Sequence, residues 1–162
     1  MILKDTIKEA SLLLKKNCIQ SHSLDAEIIL SNILKVKREF LLLNDELSIS
    51  RKIIKKYNKD ILRRLKKEPV AYIVGKKEFW SMDFPVNNGT LIPRAETELL
   101  VNEVTKFFKN KRINILDIGT GTGCILLSIL KELNFSTGIG IDISPKAIKL
   151  AINNSKKLGL ND

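Results

Sequence analysis

Ile113-Asn-Ile-Leu-Asp117-Ile-Gly119-Thr-Gly121-Thr-Gly123-Cys124, followed one helical stretch later by Thr137-Gly-Ile-Gly140-Ile-Asp142-Ile-Ser144-Pro145, decides the fold. Residues 113–118 are a short apolar run, the signature of a strand buried in a parallel sheet. A glycine-rich turn follows, and residues 122–133 have helical character. Thr137 to Ile143 reads as a second strand. Pro145 suits the first turn of a helix that runs to about Leu158. Strand, turn, helix, strand, helix is a βαβα unit of a doubly wound sheet. Such sheets have about five or six strands. Two strands are therefore the expected first half of a domain, with apolar faces left bare.

Moving toward the N-terminus, residues 93–162 form one expected domain, with Glu96 to Phe108 helical after Pro93. Residues 69–92 read as a linker and a β-hairpin. Its turn is expected at Asn88-Gly89, between the β-prone runs of residues 78–92. Phe79 and Trp80 then belong to the hairpin core or to a stacking platform. Residues 1–68 read as a small helical bundle. Apolar residues recur at helical spacing from Ile2 to Leu14, from Leu24 to Leu34 and from Ile53 to Leu65, with a short helix at Phe40 to Leu43. Ser23 and Ser50 are the expected caps of the second and fourth helices. Glu68-Pro69 closes the bundle, because a proline disfavours helix in the residue before it.

Composition narrows the function classes. No apolar run approaches the ~20 residues of a membrane span. The N-terminus lacks a secretory pattern, so a cytoplasmic protein without membrane contact is expected. Cys18 and Cys124 lie far apart without CxxC spacing, so neither a disulfide framework nor a metal site is expected. The net charge is +10. Residues 1–68 hold 16 Lys and Arg against 9 Asp and Glu, and residues 69–162 hold 12 against 9. A basic N-terminal half faces nucleic acid or an acidic protein surface, or carries lysines that are simply solvated. Lysines supply 22 of the 28 basic residues, in a chain also rich in Ile and Asn, which fits a base-composition bias. His22, the sole histidine, carries no expected role.

The glycine turn carries the chemistry. Glycines let the backbone turn tightly and approach a ligand, and the helix start offers free N–H groups. A dinucleotide fingerprint needs G-x-G-x-x-G, but Cys124 stands where its third glycine would be. A P-loop needs Gly-Lys-Ser/Thr, which is absent. The observed D-x-G-x-G-x-G resembles the first motif of S-adenosylmethionine (SAM) methyltransferases. Gly119, Thr120, Gly121, Thr122 and Gly123 are then the expected cofactor turn. Asp142, one helix and one strand later, is placed to accept from both ribose hydroxyls of an adenosyl group, or else to cap the helix at Pro145. Asp117 either meets the methionyl amino group or braces the turn.

Three segments in order sharpen the resemblance. Glu68-Pro-Val-Ala-Tyr-Ile-Val-Gly75 leads into Glu78-Phe-Trp-Ser-Met-Asp-Phe84; then come Leu91-Ile-Pro-Arg-Ala-Glu-Thr-Glu98 and Leu116-Asp-Ile-Gly-Thr-Gly-Thr-Gly123. Together they resemble the N-terminal part of the release-factor glutamine methyltransferases, the HemK/PrmC family. In the middle segment Ala95 replaces a proline usual in that family. The resemblance implies an α/β fold: a helical substrate-recognition domain, a hairpin, and the first half of a Rossmann-like SAM-dependent domain, truncated. It implies methyl transfer to the glutamine side-chain amide in the Gly-Gly-Gln tip of class I peptide-chain release factors, with SAM as cofactor. It places Arg94, Glu96, Thr97 and Glu98 near the active-site rim; the residues alone equally suit a helix start.

The catalytic Asn-Pro-Pro-Tyr of that family is absent. The prolines are Pro69, Pro85, Pro93 and Pro145, and none follows an asparagine. No catalytic residue is therefore assigned within the chain, and methyl transfer by it alone is not expected. A fragment of a longer enzyme, a decayed gene product and a protein completed by a C-terminal second chain all fit. So do two rivals: a non-catalytic module that docks on a release factor, and a nucleic-acid amino-group methyltransferase. The 94–98 segment favours the protein substrate, and no direct nucleic-acid binding is expected.

Overall fold

The computed structural model describes residues 1–160, which form two compact units, the chain dividing between Val74 and Gly75.

The first unit is all helical. Helices α1 (Leu3–Lys16), α2 (His22–Leu34), α3 (Arg38–Leu43), α4 (Arg51–Leu65) and α5 (Val70–Val74) surround a core that includes Leu3, Leu14, Ile29, Leu30, Leu41 and Ile61. Tyr57 is fully buried and donates its hydroxyl to the Ala26 carbonyl at 3.0 Å, fastening α4 to α2. Burial, with a smaller push from Glu27, drives its phenol far above the ordinary tyrosine range. The same two helices share an ion pair: Arg64 Nε lies 2.7 Å from Asp25 Oδ2, with Asp25 buried. Ser50 caps α4 as its position predicts, accepting the Ile53 N–H at 3.4 Å.

Ser23 is a correction. It lies inside α2 and donates to Glu27, while Ser21 precedes the helix and donates to Asp25. The earlier start of the helix lets His22 approach Ser11 at 2.8 Å. The stretch after Pro69, read as linker, forms α5 and adds Ile73 to the core.

The second unit opens with the hairpin, whose position is also corrected. Strands β1 (Lys76–Phe79) and β2 (Met82–Pro85) pair antiparallel around Trp80-Ser81, not around Asn88-Gly89. Trp80 and Ser81 both take positive φ, 52° and 55°, the two-residue geometry whose twist matches a hairpin. The strain is offset locally: Glu98 accepts the Trp80 backbone N–H, and Glu132 accepts its indole N–H, both at 2.8 Å. Phe79 and Phe84 pack edge to face in the core. Asn88-Gly89 instead makes a separate turn beyond the hairpin, with Asn87 Oδ1 accepting the Gly89 N–H.

A 3-10 turn, Ala95–Thr97, leads into α6 (Glu98–Phe107). Then β3 (Asn114–Ile118), α7 (Cys124–Glu132), β4 (Thr137–Ile141) and α8 (Pro145–Leu158) follow the predicted order. β4 stops two residues before the expected Ile143, where Asp142 turns the chain. β3 and β4 are parallel, with Leu116 opposite Ile139 and Ile118 opposite Ile141. α7 covers one face, where Gly138 lets Leu126 close on the sheet. On the other face Leu116, Ile118, Ile139 and Ile141 remain exposed. Parallel sheets are normally covered on both faces. The architecture is a half-built Rossmann-like layer.

Candidate functional site

Both parallel strands end at the glycine turn. The N–H groups of Gly119 and Thr120 donate to the Ile141 carbonyl at 2.8 and 2.9 Å, so the turn folds over the carboxyl end of β4. Ligands of open α/β sheets bind at this end of the strands. Gly119, Gly121 and Gly123 have φ of 83°, 56° and 78°. An L side chain in that region costs roughly 1–2 kcal/mol. A Cβ on Gly119 would meet nothing within 4 Å, and one on Gly121 only the Gly119 oxygen at 3.9 Å. The outer surface of the turn is open, and a ligand approaching it meets bare backbone. Gly123 differs: its Cβ would strike Leu127 at 2.9 Å. Thr122, between the last two glycines, is buried.

Asp142 joins strand to turn. Its Oδ1 accepts the Ser144 N–H at 2.8 Å, and its Oδ2 accepts the Gly121 N–H at 2.9 Å. Those two bonds, that from Ser144 foremost, hold its carboxyl below the usual aspartate range. The cap of α8 is a different group, Ser144 Oγ, which accepts the Ala147 N–H. Asp142 is thus a brace of the turn, and each oxygen keeps further lone pairs for a hydroxyl. Beside it lies an open depression of about 440 Å³, lined by Ile143, Pro145, Ile148 and Lys149. Ile143 is wholly exposed on its lip.

Asp117 and Thr120 supply the polar interior. Asp117 Oδ2 and Thr120 Oγ1 are buried with no hydrogen-bond partner among the described residues. Buried polar atoms are normally paired, so these two at one turn fit a polar ligand. The donor set suits an adenosyl amino acid: carboxylates for its hydroxyls and amino group, and glycine backbone for close contact. Burial pushes the neighbouring Cys124 thiol up, which keeps it protonated and unreactive at neutral pH.

Two supporting residues carried little signal in the sequence. Asn154 of α8 is buried and donates to the Thr122 carbonyl at 2.9 Å and to Pro85 at 3.4 Å. Gly140 faces Thr120, and a Cβ there would lie 2.8 Å from its hydroxyl. Only a contact map exposes either role; alternating Gly138 and Gly140 on one strand face was the one available hint.

The 94–98 segment stands apart. Arg94 and Glu96 are exposed, Thr97 is half-buried, and Glu98 opens α6 while holding the hairpin turn through Trp80. Among the described residues no hydrogen bond links this segment to the glycine turn. The structure therefore gathers Asp117, Gly119 to Gly123 and Asp142, and leaves Arg94, Glu96, Thr97 and Glu98 as a second group.

A glycine turn at the carboxyl ends of two parallel strands, braced by an acid from the second, defines a methyltransferase domain of the Rossmann-like kind. Residues 109–162 match a methyltransferase domain model, and residues 5–75 match the PrmC N-terminal domain. A release factor glutamine methyltransferase of Buchnera aphidicola subsp. Schizaphis graminum is 42% identical over 161 residues, covering 99% of this chain and 56% of the relative. One from Buchnera aphidicola subsp. Baizongia pistaciae is 40% identical, covering 100% and 58%. One from Fusobacterium nucleatum is 43% identical over 148 residues, covering 87% and 40%. Over nearly its whole length the chain is similar to release factor glutamine methyltransferases. It spans about half the length of the curated relatives it matches.

Proposed function

We propose that this chain holds SAM for methylation of the glutamine side-chain amide in the Gly-Gly-Gln motif of class I release factors. The observation that carries this reading is the open glycine turn braced by Asp142 over the strand ends. Gly119 to Gly123 receive the cofactor's amino-acid end, Asp142 its ribose, and Asp117 its amino group. When bound, the cofactor supplies an electrophilic methyl group. The helical unit presents the release factor, and Arg94, Glu96, Thr97 and Glu98 lie toward the substrate side.

Methyl transfer needs more than this chain offers. An amide lone pair is delocalised, so the nitrogen must be held in line and its hydrogens accepted. No side chain gathered at the turn does so, and the Asn-Pro-Pro-Tyr motif that does so in the family is absent. The uncovered face of Leu116, Ile118, Ile139 and Ile141 fits the same reading. A slot of about 600 Å³ between α7, β4 and α8, lined by Leu126, Leu130, Gly138, Ile148 and Ile152, suits a further strand. A C-terminal segment, in the same polypeptide or a second chain, completes the sheet and brings the catalytic group.

Calorimetric titration with SAM, followed by incubation with labelled SAM and a class I release factor, tests this. Binding without transfer is expected, with transfer restored when the C-terminal half of a relative is supplied. No binding would sink the cofactor reading, and turnover by the chain alone would sink the inactivity. Label on DNA or RNA in place of the release factor would favour the nucleic-acid rival.

A further inference from the structure

The positive charge of the helical unit is not spread over it. Residues 51–67 hold nine Lys and Arg against one acid, Asp60. The rest of residues 1–74 holds seven against eight. A base-composition bias would scatter lysine, whereas here the whole excess sits on α4 and the two residues after it.

The structure sorts those nine cations. Arg63 is taken up by Glu68 and Asp60, and Arg64 by Asp25. Lys67 is exposed and donates to the Asn17 carbonyl. Arg51, Lys52, Lys55, Lys56, Lys59 and Lys66 are exposed, and no ion pair engages them among the described residues. The first five line one outer strip of a 15-residue helix, about 22 Å long at 1.5 Å per residue, and Lys66 follows at its C-terminal end. Tyr57 and Ile61 point inward. The exposed apolar residue of α4, Leu62, lies at the α1 side, in a groove with Leu13 and Ile54.

We propose that the outer face of α4 is a sequence-independent contact for the phosphate backbone of a double-stranded nucleic acid, an activity separate from the cofactor site. Protein interfaces are enriched in aromatic residues and arginine and depleted in lysine. This face has five lysines and one arginine, with no aromatic ring. Lacking a ring to stack on, it does not suit single strands, whose bases need aromatic platforms. Lysine rows suit phosphates, which position a protein without reading bases. Such a contact departs from the expectation of no direct nucleic-acid binding.

Fluorescence anisotropy of the full chain with labelled 20-base-pair RNA and DNA duplexes, from about 50 to 200 mM salt, tests it. Salt-sensitive binding is expected. K52Q/K55Q/K56Q/K59Q should weaken it by about tenfold or more at low salt and flatten the log–log salt slope by roughly 3 to 4 on DNA, at about 0.9 per phosphate contact. K4Q/K8Q/K15Q/K16Q on α1 removes the same charge and should cost less than about threefold. Circular dichroism checks that both fold, and K52R/K55R/K56R/K59R, which keeps the charge, should bind as the parent does. The proposal is overturned by no duplex binding, by equal losses from the α1 and α4 variants, or by tighter binding to polyglutamate than to either duplex. The RNA and DNA arms tell which backbone is preferred.

Discussion

Replacing Asp142 by asparagine tests the brace under the glycine turn. The carboxylate accepts two backbone N–H groups, from Ser144 and Gly121, one on each oxygen. Asparagine has one acceptor oxygen, so its NH₂ must face a donor and one bond is lost. Hydrogen bonds to charged groups contribute about 1.5–3 kcal/mol net. Asp142 is partly exposed, and water screening brings the loss to about 1 kcal/mol. Trp80, the single tryptophan, lies in the second unit, so its fluorescence in a urea titration reports that unit.

The pH arm of the same experiment has a definite sign. The folded carboxyl titrates below its unfolded value of about 3.9. Its contribution is therefore complete above that value and is lost as pH falls through the folded pKa. Asp142→Asn should remove this part of the acid destabilisation below about pH 4, while weakening SAM binding about tenfold at neutral pH. An Asp142→Asn variant with parental urea midpoint, parental acid limb and parental cofactor affinity would refute the brace.

Gly140→Ala should destabilise the second unit by about 1–3 kcal/mol, because the new Cβ meets the stiff, β-branched Thr120 within 3.1 Å; Gly138→Ala, which meets the mobile end of Leu126, should cost less in the same urea titration. Tyr57→Phe removes the bond to Ala26 and should cost about 1 kcal/mol of helical-unit stability by far-UV circular dichroism. Arg64→Met removes the ion partner of the buried Asp25 carboxylate, leaving it the Ser21 hydroxyl, and should cost about 3 kcal/mol by the same measure.

Periodicity made the helical unit legible, because apolar stripes and Ser50 are local signals. It misplaced the start of α2, since Ser21 and Ser23 are chemically alike in the sequence, and the observed start at His22 sets that residue against Ser11. It misplaced the hairpin for a similar reason. Asn88-Gly89 has intrinsic turn propensity, while Trp80-Ser81 has almost none and owes its left-handed backbone to Glu98 and Glu132, 18 and 52 residues away.

By itself the sequence determined the order of strand, glycine turn, helix and strand, with Asp117, Gly119 to Gly123 and Asp142 at the ends of the two strands, because backbone conformation and spacing dictate that order. Tertiary structure alone decided that Asp142 grips Gly121, that Asn154 and Gly140 shape the turn from a distance, and that Glu98 serves the hairpin. Those are contacts between residues far apart in the chain, and nothing in a one-dimensional pattern states which distant donor will meet which acceptor.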